Sequence, residues 1–222
     1  MGRGGLYFPI MKRNLVIGAS GGIGAAMVQV MDGDTVGLSR SGDGLDVCDD
    51  ASVARLICDL VGSFDRLFVA IGILAPNDAA PEKSLSAIDV DVMARVFAVN
   101  TIGVATVLKH AAPKLAANGR LGVLTARVGS IGDNNLGGWH SYRASKAAAN
   151  QIIRGAALEM KRTHRDAVVL ALHPGTVETS FTANYKAKKL QPTESARMLL
   201  DVLDGATETG GFYDYAGKPI PW

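Results

Sequence analysis

The chain has 222 residues, of which 48% are hydrophobic and 20% are charged, and its formal net charge is +2 at pH 7. This length and composition favour one globular domain, because domains of about 100 to 200 residues are usual. The small net charge excludes a broad basic surface for nucleic acid or anionic lipid, and the two cysteines, Cys48 and Cys58, are too few for a disulfide framework.

The first residues carry neither a strand pattern nor a secretion signal, which needs a long apolar segment and a small-residue cleavage site. We interpret residues 1–12 as an N-terminal extension, disordered or peripheral, and residues 13–222 as the single domain. No segment approaches the roughly 18 to 20 uninterrupted apolar residues of a membrane span. The sequence therefore predicts a soluble, cytoplasmic protein with no membrane or nucleic-acid partner, and it shows no spacing typical of a metal site.

Short apolar runs alternate with helical patterns in the first half of the chain. Runs of three or four apolar residues bounded by polar residues or glycine are typical of buried strands, and apolar residues at i, i+3 and i+4 are typical of helices. The pattern predicts strands at residues 15–17, 35–38, 45–47 and 67–70, and helices at residues 22–31 and 50–61.

The second half continues the alternation with longer helices. Two helical tracts in residues 86–117 meet near Asn100, and Gly119 is a plausible C-terminal cap for the second. The remaining predicted elements are a helix that carries Tyr142 and runs to about Arg162, a helix at 193–203, and strands at 121–125, 168–172 and 212–215. This order predicts a doubly wound α/β Rossmann fold, a parallel seven-stranded sheet with helices on both faces and a ligand crevice beyond the carboxyl ends of the strands.

A glycine-rich turn, Gly-Ala-Ser-Gly-Gly-Ile-Gly at residues 18–24, follows the first predicted strand. Glycines here would let the backbone approach a pyrophosphate, which the N–H groups at the helix N-terminus would bind. The spacing is not the G-x-G-x-x-G fingerprint, so a turn that serves only packing is one alternative. Residues 18–22 also match the G-x-S-x-G nucleophile elbow of hydrolases, but no earlier strand and helix precede them to supply an oxyanion hole.

The end of the second predicted strand bears on the choice of nicotinamide cofactor. Arg40 could form a bidentate contact with a 2′-phosphate and stack on adenine, and Ser39 could add a hydroxyl donor. We therefore expect NADP(H) to be preferred, with NAD(H) possible. Alternatively, Arg40 is a solvated surface cation, and Asp43 or Asp46 contacts the ribose.

Tyr142 and Lys146 are four residues apart on a predicted helix, so their side chains project from one face. A phenol with an ordinary pKa of about 10 is a poor proton donor at neutral pH, and a nearby ammonium group lowers that pKa. Tyr185 and Lys189 have the same spacing, but they lie in a polar stretch between two prolines. The spacing alone does not decide between the two pairs.

These features together resemble the short-chain dehydrogenase/reductase superfamily. The resemblance covers nearly the whole chain from Asn14 and is carried by Gly-x-x-x-Gly-Ile-Gly, Asn100, Ser130, Tyr142 with Lys146, and residues 174–179. Within the superfamily, residues 126–139 and 211–222 are similar to the C-factor-like and sniffer-like carbonyl reductases. The family's Asn-Asn-Ala-Gly after the fourth strand is here Val-Ala-Ile-Gly at residues 69–72, which retains only the glycine.

The resemblance implies a role for each member of a catalytic group. Tyr142 would be the acid and base, Lys146 would tune it and bind the nicotinamide ribose, Ser130 would hold the substrate's carbonyl oxygen, and Asn100 would anchor a water linking Lys146 to solvent. Cofactor contacts would come from Gly18, Ser20, Gly22, Ile23, Gly24, Ser39, Arg40, Asp46, Val47, Ala70, Gly72, Asn100, Tyr142, Lys146, Pro174, Gly175, Val177 and Thr179.

The implied activity is NADP(H)-dependent reduction of an aldehyde, ketone or quinone to an alcohol by hydride transfer. The alternative is a cofactor-binding signalling protein of C-factor type with little or no turnover. Trp139, His140 and Phe181 could line the substrate pocket, His173 is expected to be structural, and the segment 178–191 is short and basic. The expected partners are a small carbonyl or alcohol substrate and further copies of the chain, in a homodimer or homotetramer.

Overall fold

The computed structural model describes residues 11–76, 79–183 and 185–222. Residues 1–10 of the expected extension and Asn184 of the basic segment lie outside the described residues. Six strands form one parallel sheet in the order β2-β1-β3-β4-β5-β6. The strands are β1 (Arg13–Ile17), β2 (Asp34–Leu38), β3 (Phe64–Val69), β4 (Leu115–Leu124), β5 (Val168–His173) and β6 (Phe212–Asp214).

Helices cover both faces of this sheet. Leu15 and Ile17 of β1 pack in one apolar cluster, whereas Val16 between them packs in the other, because successive side chains of a strand point to opposite faces. The first cluster includes side chains of α3, α5 and α6, and the second includes side chains of α1 and α7. The helices are α1 (Gly22–Val30), α2 (Arg40–Asp43), α3 (Asp50–Cys58), α4 (Val90–Phe97), α5 (Gly103–Ala111), α6 (His140–Thr163) and α7 (Pro192–Gly205).

The doubly wound Rossmann prediction is confirmed, but the described residues contain six strands instead of seven. The predicted strand at residues 45–47 is a loop, in which the Asp46 carboxylate accepts a hydrogen bond from the Cys48 N–H at 2.9 Å. Such local side-chain bonds compete with a strand ladder. Gly119 was also misplaced, because it lies within β4: α5 ends at Ala111 and Pro113 cannot continue its hydrogen-bond ladder.

The stretch Val90–Lys114 is helical throughout but changes its pitch in the middle. Between α4 and α5, Ala98–Ile102 form a π-helical turn, which contains one residue more than an α-turn. Asn100 lies in this turn and is fully buried. Its side-chain amide exchanges two hydrogen bonds of 2.8 Å with the backbone of Ile73 and donates a third to Ser145 Oγ at 3.1 Å. The turn therefore fixes the loop after β3 against α6.

The same stretch is long and apolar enough to cross a membrane when judged by length and composition, and among the described residues no other helix is. Core helices of soluble proteins can pass the same test. One third of the tested window is buried in this chain. Exposed apolar side chains on it include Val90 and Ile102.

Candidate active site

A cavity of about 480 Å³ lies at the carboxyl ends of the strands. Its walls come from the turn after β1, the loops after β3, β4 and β5, and the first turns of α6. In a doubly wound sheet this is the position at which ligands bind. Predicted site residues that line the cavity are Gly22, Ile23, Gly24, Ala70, Gly72, Tyr142, Lys146, Pro174, Gly175, Val177 and Thr179.

The turn after β1 is so tight that it requires glycine at three positions. Gly18 has a φ of +88°, and a Cβ there would lie 2.4 Å from the Ala70 carbonyl oxygen. A Cβ on Gly24 would lie 2.0 Å from the Gly18 oxygen, and one on Gly22 would lie 2.5 Å from Thr179 Cγ2. The N-terminus of α1 has no side-chain cap and no acidic residue in its first turn. Gly22, Ile23 and Gly24 of this first turn line the cavity, so that its N–H groups are available to a pyrophosphate there.

Ser20 of this turn is exposed, and no described histidine forms a hydrogen bond with it. The arrangement gives no support to a hydrolase nucleophile at Ser20. Among the described residues, no group of three His, Cys, Asp or Glu side chains is arranged to hold a metal ion.

Tyr142 and Lys146 meet on one face of α6, as their spacing predicts. Both are buried, with 6% and 3% of their surfaces exposed, and the Lys146 Nζ lies 6.0 Å from the centroid of the Tyr142 ring. The same Nζ donates to the Leu124 carbonyl oxygen at 3.4 Å. A Cβ on Gly72 would lie 3.0 Å from Nζ and 3.2 Å from Asn100 Oδ1, so only glycine fits between the lysine and the asparagine. Gly72, Asn100 and Lys146 therefore form one wall behind the tyrosine.

The pKa values of Tyr142 and Lys146 differ from those expected for a phenol beside an ammonium group. Burial raises the pKa of Tyr142, and the neighbouring Tyr185 raises it further, whereas an ammonium was expected to lower it. Burial also lowers the pKa of Lys146 to about 8, so that its amine is still protonated at pH 7 but loses its charge at a lower pH than an exposed lysine. Desolvation is therefore the dominant effect here. The phenol is held in its protonated form, which is the form that donates a proton.

Ser130 does not reach the cavity. Its Oγ donates a hydrogen bond to the Pro221 carbonyl oxygen and accepts one from the Asp133 N–H at 3.0 Å. After β4 the chain makes a 3-10 turn at Arg127–Gly129, and Ser130 follows that turn on the side of the C-terminal segment. The residues of this loop that line the cavity precede Ser130, and they include Thr125 and Ala126. This geometry gives no support to the role that the resemblance implies for Ser130.

The predicted adenosine-side residues after β2 also lie outside the cavity. Ser39 is buried and caps α2, because its Oγ accepts from the Gly42 N–H at 3.0 Å. Arg40 is exposed and forms no ion pair with the described residues, and Asp46 is engaged by its own loop. Val47 packs against the helix that follows the π-turn, where a Cβ on Gly103 would lie 2.8 Å from its Cγ2. Of these four, Arg40 has a charged side chain with no hydrogen-bond or ion-pair partner among the described residues.

Aromatic side chains form the opposite wall of the cavity. The Tyr142 ring lies 6.3 Å from Trp139 and 5.8 Å from Phe181, between ring centroids, and Trp139 lies 5.9 Å from Tyr185. Trp139 and Phe181 line the cavity as suggested, whereas His140 does not. Tyr185 was missed as a cavity residue. The signal for it was the second Tyr-x-x-x-Lys spacing, although Tyr185 and Lys189 do not lie on a helix.

Two polar residues at strand ends complete the cavity. Burial lowers the pKa of His173 to about 4, so this histidine is neutral near pH 7. Arg127 lies beside it and pairs with Asp133 at 3.0 Å and Asp214 at 3.2 Å. Arg127 follows β4 and His173 is the last residue of β5, and this position at the edge where ligands bind was the available sequence signal.

Comparison with known proteins identifies this architecture. A family model described as enoyl-(acyl carrier protein) reductase matches residues 38–209. The chain is 31% identical over 186 residues to 1-hydroxy-2-glutathionyl-2-methyl-3-butene dehydrogenase of Rhodococcus sp. (strain AD45), covering 81% of this chain and 79% of that protein. The chain belongs to the short-chain dehydrogenase/reductase superfamily. It is therefore an NAD(P)-dependent oxidoreductase by family.

Other similar proteins bear on the resemblance to the C-factor-like and sniffer-like branch. The C-signal protein of Myxococcus xanthus is 34% identical over 143 residues, covering 63% of this chain and 84% of that protein. A short-chain dehydrogenase/reductase from Burkholderia multivorans, solved with bound NADP, has a TM-score of 0.81 at 24% identity, and the carbonyl reductase Sniffer of D. melanogaster has 0.81 at 21%. Each likeness covers 96% of this chain and 100% of the other. The likeness to the C-signal protein agrees with the C-factor-like branch, and the two solved structures show the same fold.

Proposed function

We propose that the protein is an NADP(H)-dependent reductase that converts an aldehyde, ketone or quinone to an alcohol, with Tyr142 as the acid and base. The observation that carries this proposal is the burial of Tyr142 and Lys146 together in the cavity that the glycine turn also borders. A protonated phenol in such a site can donate to a carbonyl oxygen.

Different residues of the chain would bind the cofactor and transfer the proton. A nicotinamide cofactor, when bound, supplies or accepts the hydride. The turn at Gly18 and the N-terminus of α1 would bind its pyrophosphate, and Lys146 would reach the nicotinamide ribose. The carbonyl carbon gains the hydride and the carbonyl oxygen gains the Tyr142 proton, so that the C=O double bond becomes a C–O single bond with one new C–H and one new O–H bond. Lys146 lies behind the phenol, where its ammonium can return a proton, and Asn100 would anchor the water that links Lys146 to solvent.

The proposed preference for NADP(H) over NAD(H) depends on Arg40. This side chain is exposed at the start of α2, directly after the strand that borders an adenosine site in this fold. A guanidinium can bind the 2′-phosphate that distinguishes NADP from NAD. The NADP bound by the Burkholderia multivorans relative supports the same preference.

A signalling role is the second candidate, and the 34% identity to the C-signal protein favours it. In that case the fold would bind a cofactor and act through partners with little turnover. The intact pair of Tyr142 and Lys146 favours the enzyme, because a sensor does not require a buried proton donor. Retention of a cellular phenotype by a Tyr142→Phe variant would favour the sensor.

We further propose that the protein is a homodimer or homotetramer, located in the cytoplasm. Val90, Ile102 and Leu158 on α4, the π-turn and α6 expose 77%, 58% and 48% of their surfaces. Apolar side chains on neighbouring helices of this kind are typical of subunit interfaces. Light scattering after size-exclusion chromatography would give the mass, and a single mass near 23 kDa would contradict this proposal.

The enzyme proposal is tested by NADPH oxidation against a panel of aldehydes, ketones and quinones. We expect turnover by the wild-type protein, a loss of about 1,000-fold in Tyr142→Phe, and unchanged NADPH binding by fluorescence titration. Tyr213→Phe is the matched control, because Tyr213 lies on β6 outside the cavity lining. NADPH binding without oxidation of any panel member would overturn the proposal.

A further inference from the structure

Reduction of a carbonyl places negative charge on its oxygen, and a single donor, Tyr142, is so far assigned to that atom. The resemblance implied Ser130 as a second donor, but the Ser130 hydroxyl is engaged by Pro221 and Asp133 and does not line the cavity. A second donor must therefore come from another side chain of the cavity, if the proposed carbonyl reduction is correct.

Two cavity residues have hydroxyl groups that are buried and have no hydrogen-bond partner among the described residues, namely Tyr185 and Thr125. A buried hydroxyl without a partner is unfavourable, because it has lost its hydrogen bonds to water. In a working enzyme such a group is expected to find its partner in the ligand. Both groups are therefore candidates for the second donor.

The positions of the two residues favour Tyr185. Its ring packs against Trp139 at 5.9 Å, within the aromatic wall that also contacts Tyr142. Tyr185 is also close enough to Tyr142 that ionisation of one phenol opposes ionisation of the other. Thr125 follows β4 directly and adjoins Leu124, whose carbonyl accepts from Lys146, so it lies on the lysine side of the cavity.

We propose that the Tyr185 hydroxyl donates the second hydrogen bond to the carbonyl oxygen of the substrate, beside Tyr142. The two phenols have different tasks. Tyr142 transfers its proton to the oxygen as the carbon receives the hydride, and Tyr185 keeps its proton and stabilises the charge that develops meanwhile. The aromatic wall holds Tyr185 in place, since its ring packs against Trp139 at 5.9 Å between centroids.

The experiment compares Tyr185→Phe, Thr125→Val, Ser130→Ala and Tyr142→Phe with wild type, using NADPH and 4-nitrobenzaldehyde or the best carbonyl from the panel. Phenylalanine at 185 keeps the ring and removes only the hydroxyl. We expect kcat/KM to fall on the order of 100-fold in Tyr185→Phe, with NADPH affinity unchanged. Thr125→Val and Ser130→Ala should retain kcat/KM within about threefold when measured on the folded fraction.

A second readout separates catalysis from structure. Because Tyr185→Phe removes an unpaired buried hydroxyl, its melting temperature should be equal to or above that of wild type while its activity falls. A residue with only a structural role would lose stability and activity together.

The outcomes also separate this inference from the function on which it rests. Absence of turnover by wild type, or full activity of Tyr142→Phe, would overturn the reductase proposal itself. If wild type is active and Tyr142→Phe is inactive, but Tyr185→Phe equals wild type or Thr125→Val carries the loss, the assignment of Tyr185 is wrong.

Discussion

Ser141 donates hydrogen bonds to the Glu82 carboxylate from both its hydroxyl and its backbone N–H, the latter at 3.3 Å. Both residues are buried. Glu82 also accepts the Trp139 N–H through its backbone oxygen, and Trp139 has a φ of +51°, which is unfavourable for a residue other than glycine. Glu82 therefore fixes the first turn of the helix that carries Tyr142 and Lys146.

Replacement of Glu82 by Ala should destabilise the protein by about 1–3 kcal/mol, because Ser141 and the helix N-terminus lose a buried acceptor. Urea unfolding measures this, with the exposed Glu208→Ala as control. Burial alone would raise the pKa of Glu82, but the hydrogen bonds from Ser141 outweigh it and lower the pKa below its usual 4.5. The stabilisation is thus present above about pH 4.5 and is lost as the pH falls below it. An unchanged acid midpoint in the variant would contradict this.

Gly18→Ala should abolish NADPH binding and destabilise the fold by roughly 2 kcal/mol or more. The added Cβ would meet the Ala70 carbonyl at 2.4 Å, at a backbone φ of +88°. Gly155→Ala is the matched control, since Gly155 is exposed on α6 and its Cβ would meet nothing within 4 Å. That change should raise stability by about 0.5–1 kcal/mol. Isothermal titration and thermal unfolding would show whether the two glycines differ in this way.

Arg40→Ala should raise the KM for NADPH by roughly 10- to 100-fold and leave the KM for NADH nearly unchanged. The reason is the loss of a charge opposite the 2′-phosphate, which NADH lacks. Arg55→Ala, an exposed arginine on α3, provides the control. Equal changes in the KM for NADPH and the KM for NADH would show that Arg40 does not recognise the 2′-phosphate.

Lys146→Met should abolish turnover and yet stabilise the protein at pH 7. Burial lowers the pKa of Lys146 from 10.5 to about 8, which corresponds to roughly 3 kcal/mol against the charged form. Because the unfolded chain binds more protons between pH 8 and 10.5, wild-type stability should rise over that range and the variant's should not. Urea unfolding at pH 7 and pH 10 tests this, with exposed Lys161→Met as control. A less stable variant at pH 7 would refute the assignment of burial as the cause.

The alternation of apolar runs and helical periods was enough to predict the doubly wound sheet and the end of the sheet at which the site lies. Each strand of a parallel sheet is buried on both faces, so a short run such as residues 15–17 gives a clear signal. Residues 45–47 gave a similar signal without forming a strand. Leu45 is buried in the same apolar cluster as Leu15 and Ile17 although it lies in a loop, and periodicity does not distinguish the two cases.

The proximity of Tyr142 and Lys146 could be predicted from the sequence because residues four apart on a helix lie on the same face. The positions of Ser130, Tyr185 and Glu82 could not be predicted in this way, because they depend on loops that no local rule determines. Ser130 follows a 3-10 turn that directs its hydroxyl to Pro221, 91 residues away in sequence. Glu82 reaches Ser141 across 59 residues. Contacts between residues so far apart in sequence produce no periodic pattern from which they could be predicted.

The π-helical turn at Ala98–Ile102 adds one residue to the helix that contains it, and this extra residue is accommodated within the turn, so that α4 and α5 keep their faces. Deletion of Asn100 alone would therefore restore regular α-helical hydrogen bonding without rotating α5 away from the sheet. The helix would then lack the side-chain amide that bonds Ile73 and Ser145. A shorter and more regular helix would thus be obtained only by losing the contact that holds the loop after β3 against the helix of Tyr142 and Lys146.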